Sequence, residues 1–197
     1  MYSIPIKTTN ESWNQSVVLP YGLEVAHIKK GMEDWIEFLN FINSGLESTY
    51  SFVLEDFMLN AGFSSMVSEF MCSTLPKHCC NIVKNDYPNG HPDILPRGEY
   101  PKDSVLHGDK GIEVKASRNQ SGWQGHNPEH SHLLIFCFNC GSAKSKKPFE
   151  FTKVLYGHLE NQHWNFSGRN NGSRRTATAS INSSGRAILE ANWVYKI

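Results

Sequence analysis

The sequence predicts an α/β fold, with helices first and then a sheet carrying one inserted helix. Three observations predict it. Apolar residues recur at helical spacing through the first third of the chain. From about residue 90 the apolar residues instead form short runs and alternations of strand length. Clusters of Pro, Gly, Asn and Ser separate these segments, with no internal repeat and no low-complexity stretch.

The first 25 or so residues are mixed and polar, with Pro5 and Pro20, and read as an extended arm or short edge strand. Met32, Trp35, Ile36, Phe38, Leu39 and Ile42 then mark a first helix. A second is expected over about Ser48–Asn60, with Gly62 just past its end, and a third over about Ser64–Leu75, stopped by Pro76. Helices this short and one-sidedly apolar must pack on something. The partner begins at Pro92–Leu95, a short apolar run, and continues in the alternation of Gly111–Ala116. Leu133–Phe138 has the length and flanks of a buried strand. Val154, Leu155 and Leu159 share a helical face, which places a helix over Phe149–Gln162. Asn165–Ser173 reads as a loop, and Thr176–Ile181 and Ala187–Tyr195 as two strands joined at Asn182-Ser183-Ser184-Gly185.

Composition narrows the class. The chain has 197 residues, 39% hydrophobic and 19% charged, enough to bury one core without disulfide or metal staples. Net charge of zero with ordinary aromatic content argues against a disordered chain. The longest apolar stretch, Leu133–Phe138, falls far short of the roughly 18 residues of a membrane span. The start lacks a secretory pattern, so the 5 cysteines are expected as reduced thiols in a cytosol. Zero net charge hides an asymmetry: residues 1–115 hold 9 basic and 15 acidic residues, residues 116–197 hold 10 and 4. An acidic half followed by a basic half suits a polyanion met mainly by the second, unless the imbalance is chance.

The chemistry concentrates in His91-Pro92-Asp93-Ile94-Leu95 and Gly111-Ile112-Glu113-Val114-Lys115-Ala116. On a strand, Glu113 and Lys115 share one face, about 6–7 Å apart, while Ile112 and Val114 turn to the other. The connection over 96–110, with its prolines and glycines, can fold back and bring Asp93 beside Glu113. Two carboxylates and a lysine held together suit phosphodiester hydrolysis. Asp93, Glu113 and the Val114 carbonyl offer hard oxygens to Mg²⁺. The ion neutralises phosphate charge and lowers the pKa of a bound water, and Lys115 orients that water or stabilises developing charge. The plain alternative is an exposed strand with a Glu–Lys ion pair and an unrelated Pro-Asp turn.

Pro92-Asp93, a 19-residue spacer and Glu113-Val114-Lys115 together resemble the PD-(D/E)xK nuclease motif, and their surroundings resemble type II restriction endonucleases, over roughly residues 50–138. The resemblance implies a central mixed β-sheet flanked by helices, Mg²⁺ dependence and cleavage of double-stranded DNA. It makes Asp93 and Glu113 metal ligands and Lys115 the catalytic lysine. Many members of the family add an acidic residue from an upstream helix, for which Glu55 is the first candidate and Glu69 the second. It also implies a homodimer, if both strands of a symmetric site are cut, and a bacterial or archaeal cytoplasm.

One domain is then expected over 1–197: a helical layer at about 30–80, a catalytic sheet at about 90–140 and a basic DNA-facing part at about 141–197. The segment 117–132 offers Asn119, Gln120, Trp123 and Gln124 for base edges or phosphates, if it is not simply a polar cap on the sheet. Arg169, Arg174 and Arg175, in a basic region with Lys144, Lys146, Lys147, Lys153 and Arg186, suit DNA contact, or else a charged edge strand. His126, His130 and His132 raise a minority reading as metal ligands. Cys137-Phe138-Asn139-Cys140 with His158 and His163 admits structural zinc, although 17 residues between Cys140 and His158 is long for a finger. Two rival functions remain: a repair or nicking nuclease of the same superfamily, and a zinc-stabilised DNA-binding module without catalysis.

Overall fold

The computed structural model describes residues 12–121, 123–125, 130–140, 148–167 and 178–197. Three helices lead: α1 (Val25–Tyr50), a single turn α2 (Leu54–Phe57) and α3 (Asn60–His78). Strands β1 (Ile82–Lys84), β2 (Ile94–Pro96), β3 (Ile112–Ser117), β4 (Gln124–Gly125), β5 (Ser131–Asn139), β6 (Glu150–Leu159), β7 (Trp164–Ser167) and β8 (Thr178–Ile181) follow, then α4 (Ser183–Ala191) and β9 (Trp193–Lys196).

Six strands form one sheet in the order β1-β2-β3-β5-β6-β9. It is mixed: β3 and β5 run parallel and every other pair is antiparallel. A small antiparallel sheet, β4-β8-β7, lies apart from it. The protein is thus an α/β molecule with a mixed sheet flanked by helices. Two cores hold the layers together. In the first, Trp35 and Leu39 of α1 and Phe63, Val67, Met71 and Leu75 of α3 pack on Val114, Leu134, Phe136 and Phe138. In the second, Leu133, Ile135, Cys137, Leu155 and Leu159 meet Trp123, Trp164 and Leu189. Successive side chains of a strand point to opposite faces, so β5 feeds both cores in turn.

Several elements differ from the sequence expectation. Residues 150–159 form a strand, not a helix, paired with β5 along its length. Leu155 and Leu159 are four apart, an even step that keeps one face in a strand as well as in a helix, and the spacing alone does not separate the two. The turn expected at 182–185 is the start of a helix: the Asn182 side chain accepts from the Gly185 backbone N–H at 3.0 Å, an N-cap that starts α4. Only residues 193–196 of the last expected strand are strand. The loop expected from Asn165 begins as β7, while 168–177 lie outside the described residues. α1 is longer than expected, and the second helix shrinks to one turn because Ser51 takes a left-handed conformation at φ 59°. Pro76 lies inside the last turn of α3, beyond where it was expected to stop the helix. Trp13 bridges to Tyr195, so the described part of the leading arm does lie along a sheet edge.

Candidate active site

β2 and β3 pair only at Ile94 and Ile112, and Asp93 lies just before the first residue of β2. Beyond that point the edge of β3 is open. Asp93 fills it: its Oδ2 accepts from the Val114 backbone N–H at 2.8 Å. The N–H and C=O of one strand residue point the same way, so the Val114 carbonyl also faces Asp93 and away from β5. Gly111 makes this approach possible. At φ +150°, a β-carbon there would stand 2.5 Å from the Ile94 carbonyl oxygen and 3.0 Å from Pro92.

A second residue holds the segment in place. Asn85 is buried, and its Nδ2 donates to the carbonyls of Pro92 at 3.0 Å and Val105 at 2.8 Å. Its Oδ1 accepts from the N–H groups of Tyr87 and Val105, each at 3.1 Å, and its own N–H donates to the Asp93 carbonyl at 2.8 Å. Two donors and one carbonyl oxygen are all an Asn side chain has, and all are engaged.

Glu113 and Lys115 extend from the face of β3 that carries the second core, because Glu113 pairs in register with Leu133. Lys115 Nζ stands 3.0 Å from Glu113 Oε1, and His91 Nδ1 stands 2.9 Å from Glu113 Oε2. The sequence reading missed His91. The contact spans 22 residues, and the only signal was its place just before Pro92-Asp93.

These groups line a cleft of about 1190 Å³, together with Glu69, Lys84, Asp86, His107, Gln124 and a row of α3 serines, Ser64, Ser65 and Ser68. Lys84 Nζ is paired with Glu69 Oε2 at 2.7 Å. Cys72 lies in the same wall, but burial pushes its thiol well up, and the Asp93, Glu69 and Glu113 charges add to this. A thiol held protonated is not a nucleophile.

The two carboxylates differ. Burial, and then the neighbouring Glu113 charge, push Asp93 up to about 7 against the Val114 N–H and Lys115. Burial would raise Glu113 too, but the hydrogen bonds and charges of His91 and Lys115 outweigh it and hold Glu113 down at about 2. The cleft therefore holds one carboxylate pushed toward its charged form and one pushed toward its neutral form. A divalent cation fits this donor set. It would meet hard oxygens from Asp93, Glu113 and the Val114 carbonyl, and its charge would relieve the repulsion that keeps Asp93 partly protonated.

The other sequence candidates scatter. Glu55 is buried under α1 and accepts from Asn43 Nδ2 at 2.7 Å, outside the lining of the cleft; of the two helix-borne acids, Glu69 is the one that lines it. Gln124 is at the rim and exposed. Asn119 is exposed, and Gln120 Nε2 donates to Thr152 Oγ1 at 2.8 Å. Trp123 does not suit the base contact expected of it: it is 4% exposed within the second core, and its indole N–H donates to the Asn119 carbonyl at 3.2 Å. Arg169, Arg174 and Arg175 lie outside the described residues, as do Lys144, Lys146, Lys147 and His126.

The zinc reading from Cys137, Cys140, His158 and His163 does not hold. Cys137 is buried in the second core opposite Lys153, five residues from His158 along β6 and roughly 17 Å away. His158 also lies on the other face of the sheet, and His163 Nδ1 accepts from the Glu160 N–H.

No family model and no curated protein matches the chain. Among the described residues, no helix is long and apolar enough to cross a membrane.

Proposed function

We propose that the chain is a Mg²⁺-dependent endonuclease that hydrolyses phosphodiesters of double-stranded DNA. The observation that supports this most is the meeting of Asp93, Glu113 and Lys115, brought from the bend before β2 and from β3 to the two sides of Val114 in an open polar cleft. The finer reading, a site-specific type II restriction enzyme, rests on the resemblance of Pro92-Asp93 and Glu113-Val114-Lys115 to the motif of that family.

Asp93, Glu113 and the Val114 carbonyl would hold the ion, which when bound supplies charge neutralisation at the phosphate and a more acidic water. Lys115, paired with Glu113, presents its amine where negative charge accumulates during attack. His91 holds the other oxygen of Glu113 and fixes the orientation of that carboxylate. Ser64 and Ser65 of α3 offer hydroxyl donors to phosphate oxygens along the cleft wall. Cutting both strands of a symmetric site calls for two copies related by a two-fold axis, with the basic second half of each on the DNA.

Incubation with plasmid DNA and Mg²⁺, followed by sequencing of the cut ends, tests both levels. Discrete fragments with a shared end sequence are expected. Smears or nicked circles would favour a repair or nicking nuclease, and intact plasmid at every Mg²⁺ concentration would contradict the proposal.

A further inference from the structure

A second cluster of ligand-type side chains lies on the face of the sheet opposite Glu113 and Lys115. Antiparallel pairing sets the start of β5 against the end of β6, with Ser131 opposite Leu159 and His132 opposite His158. His130, His132, His158 and Glu160 alternate with the buried Ser131 and Leu159, so all four share one face. That is the face of Leu134, Phe136 and Val154, opposite to the one bearing Glu113 and Lys115. None of the four lines the cleft.

The ligating atoms of His130, His158 and Glu160 all lie within 4.8 Å of one another, and all three residues are exposed. The His130 and His158 rings stand 5.3 Å apart at 70°, so the two imidazoles crowd one spot. Glu160 is oriented from behind: Gln162 Nε2 donates to its Oε2 at 2.9 Å, and its backbone carbonyl accepts the His163 N–H at 2.8 Å. Support of this kind fixes a ligating carboxylate while leaving lone pairs available. His132 stands behind the group, its Nδ1 2.8 Å from the Tyr156 hydroxyl and its ring 4.7 Å from that of His158.

The geometry points to a metal site, separate from the cleft, in which His130, His158 and Glu160 hold a borderline transition-metal ion of the Zn²⁺ type. Imidazole nitrogen suits Zn²⁺, Ni²⁺ and Cu²⁺, whereas Mg²⁺ demands oxygen. Three protein ligands leave one tetrahedral position to water. The ion joins the start of β5 to the end of β6, and because the cluster exists only in the folded chain, binding stabilises the fold by mass action. The site does not depend on the cleft being a nuclease.

Calorimetric titration with Zn²⁺ is best done on the Asp93→Asn/Glu113→Gln double variant, which removes the two central cleft carboxylates from the count. One equivalent is expected to bind, with a rise in Tm that Mg²⁺ does not reproduce. Adding His130→Ala, His158→Ala or Glu160→Gln should weaken binding by at least about tenfold and abolish the Tm shift. All three side chains are exposed, and Glu160→Gln keeps the size and an acceptor oxygen, so a loss there is not a loss of fold. His107→Ala, in the cleft, should leave Zn²⁺ binding unchanged. Absence of a one-equivalent event, or parental binding in any of the three variants, would overturn the assignment.

Discussion

Asp93 and Glu113 bring the same functional group to one cleft, and their neighbours drive the two apart. The direction of each shift sets a stability signature that needs no substrate. Asp93 is raised to about 7, so its contribution is fully present below the ordinary carboxylate range and is lost as pH climbs through about 7. Glu113 is lowered to about 2, so its contribution is present above the ordinary range and is lost as pH falls toward 2. Asp93→Asn keeps an acceptor for the Val114 N–H and deletes the first effect. In metal-free protein this variant should gain on the order of 2 kcal/mol at pH 8 and nothing at pH 4, as read by urea unfolding at the two pH values. Equal stability at pH 8 would mean that Asp93 is not strained by its surroundings. Lys115→Ala should lower cleavage by about 10²–10⁴-fold while divalent-ion binding persists, as separated by single-turnover rates and calorimetry. Asp93, Glu113 and Lys115 were legible in the sequence because a strand period of two and a short spacer suffice to unite them. His91 and Asn85 were not, because their contacts depend on how the 96–110 connection folds.

The elements that carry these side chains depend on one narrow passage. β2 contributes a single paired position to β3, and the chain turns past it at Gly111 with the Ile94 carbonyl in the way of any side chain. Gly111→Ala should cost roughly 1–3 kcal/mol and displace Asp93 from Val114. Asn85→Ala should cost a similar amount, roughly 2–3 kcal/mol, by leaving the buried Pro92 carbonyl and the half-buried Val105 carbonyl and N–H without their partner. Thermal unfolding of both variants checks this, and parental Tm values would contradict it. The helical layer and β3 and β5 were readable from periodicity, since α1, α3 and β5 bury one consistent set of residues. β6 and α4 were not. Leu155 and Leu159 fit either period, and Asn182-Ser183-Ser184-Gly185 suits a turn and a helix cap equally, so tertiary pairing with β5 and packing of Leu189 decided them.

Across the molecule, two cores on opposite faces of one sheet leave β3 covered by helices on one side and partly open on the other. The cleft lies at the free edge of β3, between the open side and the wall formed by α3. Its wall is rich in carboxylates, Glu69, Asp86, Asp93 and Glu113, so on its own it repels a polyanion. For the proposed DNA partner, a divalent ion and the 10 basic residues of the second half would have to compensate for that. DNA affinity should therefore fall steeply and linearly in a log–log plot against salt, and Mg²⁺ or Ca²⁺ should tighten it; salt-independent binding would remove the basic half from the interface. Chemistry at the cleft and clamping at the His130–His158–Glu160 corner should also separate. Zn²⁺ should raise Tm without supporting cleavage, and Asp93→Asn should abolish cleavage without touching the Zn²⁺ effect.

The most direct test of the carboxylate–lysine centre is the rate at which supercoiled plasmid is cut in Mg²⁺ by the parent and by Asp93→Asn, Glu113→Gln and Lys115→Ala, each confirmed folded by its Tm. The parent should cut, and each variant should lose at least about 10²-fold. Cleavage by all three variants at the parental rate would contradict the assignment.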